Sequence, residues 1–418
     1  MKILLIGSGG REHAIAKSIL KNKAVEKLYI APGNGGLSDC GECVDIGVCD
    51  KEKLLKFAKD KNIDLVVVGP ENPLVDGIVD FFNEKDIRVF GPNKEASRLE
   101  GSKIYMKDFL KKYNIPTARY EAYDNYMDAK EGLKTFKAPY VIKTNGLAAG
   151  KGVLIPTTYE EAVEGLDKLM KDKLFGNAGD KVIIESFLEG VEMSLLCFVD
   201  GEHIYPMESA KDYKRALDGD EGLNTGGMGC FSPHPYMTPD YKKIVEETIL
   251  KPTMDGLIKE NLNFKGVLFI GLMCTDNGPK VLEYNVRFGD PETEVVLPRL
   301  NSDLVQIMNA CIDGKLDKVD IAWKEESAVT VICASGGYPE KYEKGIEIKG
   351  LSNSLNNSFV YHAGTKKEGD IYLTNGGRVL AVTALGDNIE NARKLAYKRV
   401  NEISFDKMFY RKDIAKGF

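Results

Sequence analysis

Along the first hundred residues, apolar positions come in short unbroken runs separated by glycine. Residues 2–6, apolar from Ile3 onward, and 65–68 are apolar on both faces and too short for a helical stripe. That pattern predicts strands of a parallel sheet covered on both sides. Residues 28–30 and 89–90 predict two more strands, the latter stopped by Gly91-Pro92, and residues 13–20 predict a helix. Glycine-rich turns follow the strands: Gly7-Ser8-Gly9-Gly10, Pro32-Gly33-Asn34-Gly35-Gly36 and Gly69-Pro70. Ligands of open parallel sheets sit at such strand ends.

The spacing then changes. Tyr105, Met106, Phe109, Leu110 and Tyr113 recur at helical spacing behind Ser102, a good N-cap, with Pro116 beyond the stop. Strands are predicted over residues 140–143, 182–185 and 193–199. Residues 145–152 and 222–229 are glycine-dense loops. Residues 267–274 and 280–284 flank Asp276-Asn277-Gly278, a hairpin signal. After about residue 320, strands at 328–334 and 379–383, a turn at Asn375-Gly376-Gly377 and an amphipathic helix at 389–400 predict a separate α+β lobe with few catalytic groups.

The 418 residues are enough for two to four domains. Hydrophobic residues make up 43% and charged residues 29%, a globular balance. The net charge of −6, without a basic stretch, argues against nucleic acid as a partner. No run approaches the ~20 apolar residues of a membrane span, so the expected compartment is the cytoplasm and the eight cysteines are expected as thiols. Cys40, Cys43 and Cys49 cluster without a nearby histidine and read as small hydrophobes rather than a metal site.

Three segments carry candidate chemistry. Gly7-Ser8-Gly9-Gly10-Arg11-Glu12-His13 can offer backbone N–H groups to a phosphate, with Arg11 beside it. It is a poor dinucleotide fingerprint, because Glu12 takes the third glycine's place and Ala31-Pro32-Gly33 stands where a ribose-binding acid belongs. Lys143 ends an apolar strand and opens the small-residue loop to Gly152, which lets a backbone approach a triphosphate but lacks Walker A spacing. Glu185, Glu189 and Glu192 follow at a strand exit, where acceptors suit an adenine amino group and ribose hydroxyls; a merely solvated strand end competes with that reading. Glu283 and Asn285, two apart on a strand, share a face and offer hard oxygen donors to Mg2+. Arg287, next on that face, can clamp a carboxylate or phosphate, against the alternative of a Glu–Arg pair that only holds the loop.

With these residues in view, the chain resembles the ATP-grasp superfamily and, within it, the phosphoribosylamine–glycine ligases, also called glycinamide ribonucleotide synthetases. The resemblance runs from the first glycine loop through Pro32-Gly33-Asn34-Gly35, Gly69-Pro70-Glu71, the Lys143–Gly152 loop and Asn224-Thr225-Gly226-Gly227-Met228-Gly229 to Arg287-Phe288-Gly289-Asp290-Pro291-Glu292-Thr293. Leu223 stands where the family commonly has proline, and Tyr213 where it commonly has histidine. The resemblance implies a multidomain α/β and α+β fold: a Rossmann-like domain at 1–100, an ATP-grasp domain at 101–322 with a mobile lid at about 120–190, and a C-terminal α+β lobe at 323–418.

The implied reaction is ATP-dependent ligation of glycine to 5-phosphoribosylamine through a glycyl phosphate, with Lys143 and Arg287 as catalytic residues. Nucleotide contacts are implied at Lys103, Lys143, Gly150, Lys151, Gly152, Glu185, Phe187, Leu188 and Glu192, and Mg2+ or Mn2+ at Glu283 and Asn285. Substrate contacts are implied at Gly9, Gly10, Arg11, Glu12, Asn34, Gly35 and Glu71 in the first domain. Further contacts are implied at Asp212, Lys214, Arg215, Asn224, Thr225, Gly226, Gly227, Arg287, Asp290, Pro291 and Glu292. A monomer is expected, in transient contact with an upstream amidotransferase. The rivals are another ATP-grasp ligase with a different acceptor, told apart by which substrates release ADP, and a non-catalytic nucleotide-binding module, which would bind ATP without turnover.

Overall fold

The computed structural model describes residues 1–148 and 152–418. The N-terminal sheet is parallel throughout, in the spatial order Glu42–Cys43, Lys27–Pro32, Lys2–Gly7, Leu65–Val68, Val89–Phe90. Leu65–Val68 is buried at every position, as a run with no polar face requires. The first helix spans Gly10–Ile19, three residues earlier than its apolar pattern indicates. The cause is local: Glu12 Oε2 accepts the Gly9 N–H at 2.6 Å, satisfying an orphan donor of the first turn.

Residues 120–186 build a small antiparallel unit. Its strands lie in the order Tyr120–Tyr123, Val182–Ser186, Tyr140–Thr144, Val153–Leu154. Helices Tyr126–Gly132 and Tyr159–Leu166 cover it, and Leu133, Ile142, Leu166, Leu169 and Ile184 form its own core. A second antiparallel sheet runs Ile204–Pro206, Val191–Asp200, Lys265–Thr275, Gly278–Asn285. Its last two strands are the expected hairpin, with a register shift where Gly271 faces Glu283 and Leu272 faces Val281. Leu282 is the extra residue of that bulge. Beyond it burial alternates, so Glu283, Asn285 and Arg287 share one face and Tyr284 and Val286 the other.

The loop expected at 222–229 is partly a hairpin, Arg215–Leu217 against Glu221–Asn224. The C-terminal segment is not a self-contained sheet. Its strands Ser327–Ala334, Arg378–Gly386 and Ser358–His362 continue through Gly229–Ser232 to Lys211–Asp212. Gly229–Ser232 is fully buried and pairs antiparallel with Ser327–Ala334, Gly229 facing Val331. A buried strand that short must give its N–H and C=O groups to a neighbour, and the neighbour lies a hundred residues on. Helix Ile389–Val400 packs Ala392, Ala396 and Val400 against this sheet. No helix among the described residues is long and apolar enough to cross a membrane.

Candidate active site

A cavity of about 1070 Å³ lies between the small antiparallel unit and the second sheet. Its apolar lining includes Met106, Val153, Ile155, Leu188 and Met273. Its charged lining includes Lys103, Lys214, Glu283, Arg287 and Glu292. A cavity lined by both apolar side chains and fixed charges suits a ligand that carries a base and phosphates.

Glu283 is the electrostatic centre. Burial alone would raise its carboxyl, but Lys214, Lys143, Lys103 and Arg287 together hold it below the ordinary glutamate range. Lys143 Nζ lies 3.3 Å from the carbonyl oxygen of Leu282, the bulge residue, and 3.0 Å from Glu185 Oε1. Lys103 donates to the Gly146 carbonyl at 3.2 Å; burial lowers its pKa although Glu283 pulls upward. Lys214 pairs with Glu192 at 2.8 Å and keeps that carboxyl ionised against burial. Arg287 sits between Glu71 at 3.3 Å and Glu100 at 3.1 Å.

Around Arg287 the acids diverge in state. Burial raises Asp212 well above the aspartate range, with Glu292 adding to it, and Asp212 Oδ1 has no hydrogen-bond partner. Burial likewise raises Glu292, whose Oε1 accepts from Ser194 at 2.9 Å. Burial works the same way on Asp290, but Arg378, Arg11 and Arg287 outweigh it and hold the carboxyl low. A cavity wall that mixes an unpartnered carboxyl oxygen with a guanidinium is equipped to take both ends of an amino acid.

A second cavity of about 320 Å³ adjoins the first. The N-terminal turns supply Ser8, Gly9, Gly33 and Asn34, and the C-terminal segment supplies Tyr338 and Arg378. Asp290 and Arg378 border both cavities. Arg378 Nη2 pairs with Asp290 Oδ1 at 3.0 Å, and Nη1 donates to the carbonyls of Gly226 at 2.5 Å and Asp290 at 3.0 Å.

Most of the residues singled out from sequence meet at these cavities. Lys103, Gly152, Phe187, Leu188 and Glu192 line the large one, as do Glu283, Asn285 and Arg287. So do Arg11, Glu71, Asp212, Lys214, Arg215 and Asn224, with Thr225, Gly226, Asp290 and Glu292. Gly9 and Asn34 line the small one. Gly150 and Lys151 lie outside the described residues.

Other expectations need correction. Glu12 does not face a ligand: it is 1% exposed, caps its own helix and meets Arg11 Nε at 2.6 Å. A side chain at Gly69 would put a Cβ 2.1 Å from Glu12 Oε1, so these glycines make room for the acid. Gly10 is packed on Glu294, where a Cβ would lie 2.5 Å from its Oε1. Gly227 is packed on Pro291, and Gly35 on the backbone at Lys366. These four glycine and proline positions serve close approach between elements and border neither cavity. Glu185 and Lys143 border neither cavity: Glu185 Oε2 accepts from Lys107 at 2.9 Å, while its buried Oε1 lies 3.0 Å from Lys143 Nζ without a hydrogen-bond partner.

The C-terminal segment, read as poor in chemistry, contributes Arg378 to both cavities. Nothing at Gly376-Gly377-Arg378 marks a ligand site; only the shared sheet brings it to Asp290. Of the two departures from the family pattern, Leu223 is exposed at a strand position, and the Tyr213 hydroxyl accepts the Ala415 N–H at 3.0 Å.

Glu283 and Asn285 form a two-oxygen set on the cavity wall, and no group of three or more His, Cys, Asp or Glu among the described residues could hold a metal by itself. That donor set fits a hard divalent cation that takes its remaining ligands from phosphate oxygens and water.

The phosphoribosylglycinamide synthetase family models match this chain in three parts: the N domain at 1–100, the ATP-grasp (A) domain at 101–293 and the C domain at 328–417. A phosphoribosylamine–glycine ligase of Caldanaerobacter subterraneus is 49% identical, covering 100% of both chains. The crystal structure of phosphoribosylamine–glycine ligase from Thermotoga maritima superposes with a TM-score of 0.88 at 38% identity, over 99% of this chain and 100% of that one. The biotin carboxylase domain of Hydrogenobacter thermophilus 2-oxoglutarate carboxylase, solved with MgADP and bicarbonate, gives a TM-score of 0.76 at 14% identity, over 98% of this chain and 91% of that one, a likeness of fold.

Proposed function

The chain belongs to the phosphoribosylglycinamide synthetase family, and from that premise we propose how its two cavities join glycine to 5-phosphoribosylamine with ATP as the driving reagent. The products are glycinamide ribonucleotide, ADP and phosphate, a step of purine biosynthesis. The observation that carries the reading is the crowd of cations around one carboxylate, Lys103, Lys143, Lys214 and Arg287 about Glu283, beside an apolar lining.

A carboxylate is a poor acylating agent because oxide is a poor leaving group. Transfer of the γ-phosphoryl group to the glycine carboxylate gives an acyl phosphate and ADP. Lys103 and Lys143 neutralise charge on the moving group, and Arg287 holds the carboxylate in line. Glu283 and Asn285 would hold Mg2+ or Mn2+, which would supply screening of the phosphate charge. Asp212 and Glu292 receive the glycine ammonium. The phosphate of 5-phosphoribosylamine lies in the small cavity against Ser8, Gly9, Asn34 and Arg378. Its amine attacks the acyl carbon beside Asp290, and inorganic phosphate leaves.

The adenine lies against the apolar lining of Met106, Val153 and Leu188, with Glu192 toward the ribose. Residues 120–190 act as a lid that keeps water from the acyl phosphate. The enzyme works in the cytoplasm as a monomer and takes its hydrolysable amine by transient contact with the amidotransferase that makes it.

The test is a coupled ADP-release assay. Multiple-turnover ADP release should require glycine and phosphoribosylamine together. Equal release with bicarbonate or formate in place of glycine, or ATP binding without turnover, would overturn the assignment.

A further inference from the structure

Helix Lys103–Lys112 turns Met106, Phe109 and Leu110 inward, and among them Lys107, whose side chain is 0% exposed. A buried ammonium costs several kcal/mol, of order, unless it is paired. Lys107 Nζ donates to Glu185 Oε2 at 2.9 Å and to Thr117 Oγ1 at 2.7 Å. The Thr117 hydroxyl donates onward to the Val281 carbonyl at 2.7 Å. The other Glu185 oxygen faces Lys143 at 3.0 Å, and Lys143 reaches the Leu282 carbonyl. A polar circuit therefore leaves the strand Gly278–Asn285 at Val281, crosses the lid strand Val182–Ser186 and returns to the first strand one residue further on.

Within the circuit itself, before Glu283 beyond it is counted, cations outnumber acids. Two ammonium groups share one carboxylate in a place closed to water. Lys107 and Glu185 cancel, and Lys143 is left with half of a shared acid, a carbonyl and the field of Glu283 on the cavity wall. Without Lys107, Glu185 and Lys143 would form a closed pair, and an incoming triphosphate would have to compete with a buried carboxylate for the lysine.

We infer that Lys107 is a positioning residue for phosphoryl transfer: by holding the Glu185 carboxylate against Thr117, it leaves Lys143 free to turn to the phosphate. The inference rests on the nucleotide assignment above. It does not require Lys107 to touch ATP, and Lys107 borders neither cavity.

The experiment measures steady-state ligation by K107M, E185Q and K107M/E185Q beside the wild-type full chain, with thermal melts and circular dichroism for each. K107M should lose at least tenfold in kcat and raise KM for ATP, while KM for glycine stays within twofold. Removing the competing carboxylate as well should restore kcat of K107M/E185Q to within threefold of wild type. A merely structural lysine gives no such recovery, because the second substitution would add to the damage. A folded K107M with wild-type kcat and KM for ATP overturns the inference. So does a double variant no faster than K107M. If K107M fails to fold, the double variant alone decides: kcat within threefold of wild type supports the inference, and a tenfold or larger loss overturns it. A wild-type protein without glycine-dependent ADP release would instead overturn the function.

Discussion

Replacing Glu12 with alanine separates a structural acid from a ligand-binding one. Three effects act together in the folded chain. The Gly9 N–H loses its acceptor at 2.6 Å, a helix cap worth about 1 kcal/mol. Arg11, itself buried, loses its 2.6 Å partner. Breaking a buried pair costs about 3–5 kcal/mol when the remaining charge has nothing else. Here Arg11 keeps the Phe288 carbonyl at 3.1 Å and the fields of Asp290 and Glu71, so the lower end applies. The space beside Gly7 and Gly69 is left empty, but both are backbone that can relax inward. The expected loss is about 3–4 kcal/mol, or more than two powers of ten in the unfolding equilibrium. Glu12→Gln keeps the cap and loses only the charge, so its loss should be about half. Urea unfolding read by circular dichroism, with unfolding of the N-terminal domain also followed by proteolysis, measures both. At a temperature where the variants stay folded, KM for phosphoribosylamine should remain within about threefold of wild type. Wild-type stability in Glu12→Ala combined with a tenfold rise in that KM would refute the capping role and make Glu12 a substrate contact.

Three other outcomes are expected. Lys143→Ala should melt within about 1 kcal/mol of wild type, because Glu185 keeps Lys107, yet lose about 10²–10³ in kcat; unchanged turnover in the folded variant removes Lys143 from the chemistry. Glu283→Gln should shift the divalent-metal titration of activity upward by about tenfold or more, since one of two protein oxygens loses its charge; a curve overlying wild type would take Glu283 off the ligand set. Burial lowers His13 to about 3, with His362 and Lys17 adding to the shift, and lowers His362 to about 4. Both are neutral when folded, while the unfolded chain takes up protons below about 6.5, so stability falls with pH from there toward 4 and 3. Between pH 7 and 5 each histidine should account for about 2 kcal/mol, and His362→Gln should lose that much less than wild type in urea unfolding; parallel losses would place the acid sensitivity elsewhere.

Local pattern alone determined much of this molecule. Residues 65–68 had to be a strand covered on both faces, because no polar side chain interrupts them. Asp276-Asn277-Gly278 had to turn a hairpin, and residues 389–400 match the observed helix. The two-residue period also put Glu283, Asn285 and Arg287 on one face, a feature that needs only neighbours in the chain. Tertiary structure decided who meets whom. Lys107 and Glu185 are 78 residues apart, and nothing in either neighbourhood announces the pair. Arg378 is ordinary in sequence and becomes a wall of two cavities only because Gly229–Ser232 carries the C-terminal sheet into the middle of the chain. Glu12 sits in a loop that looks made for phosphate, yet turns inward because an unpaired helix N–H and a buried arginine are nearer than any ligand. Side-chain periodicity is fixed by bond geometry along the backbone. The partner of a buried charge is fixed by distance through space, and the folded packing of distant segments sets that distance.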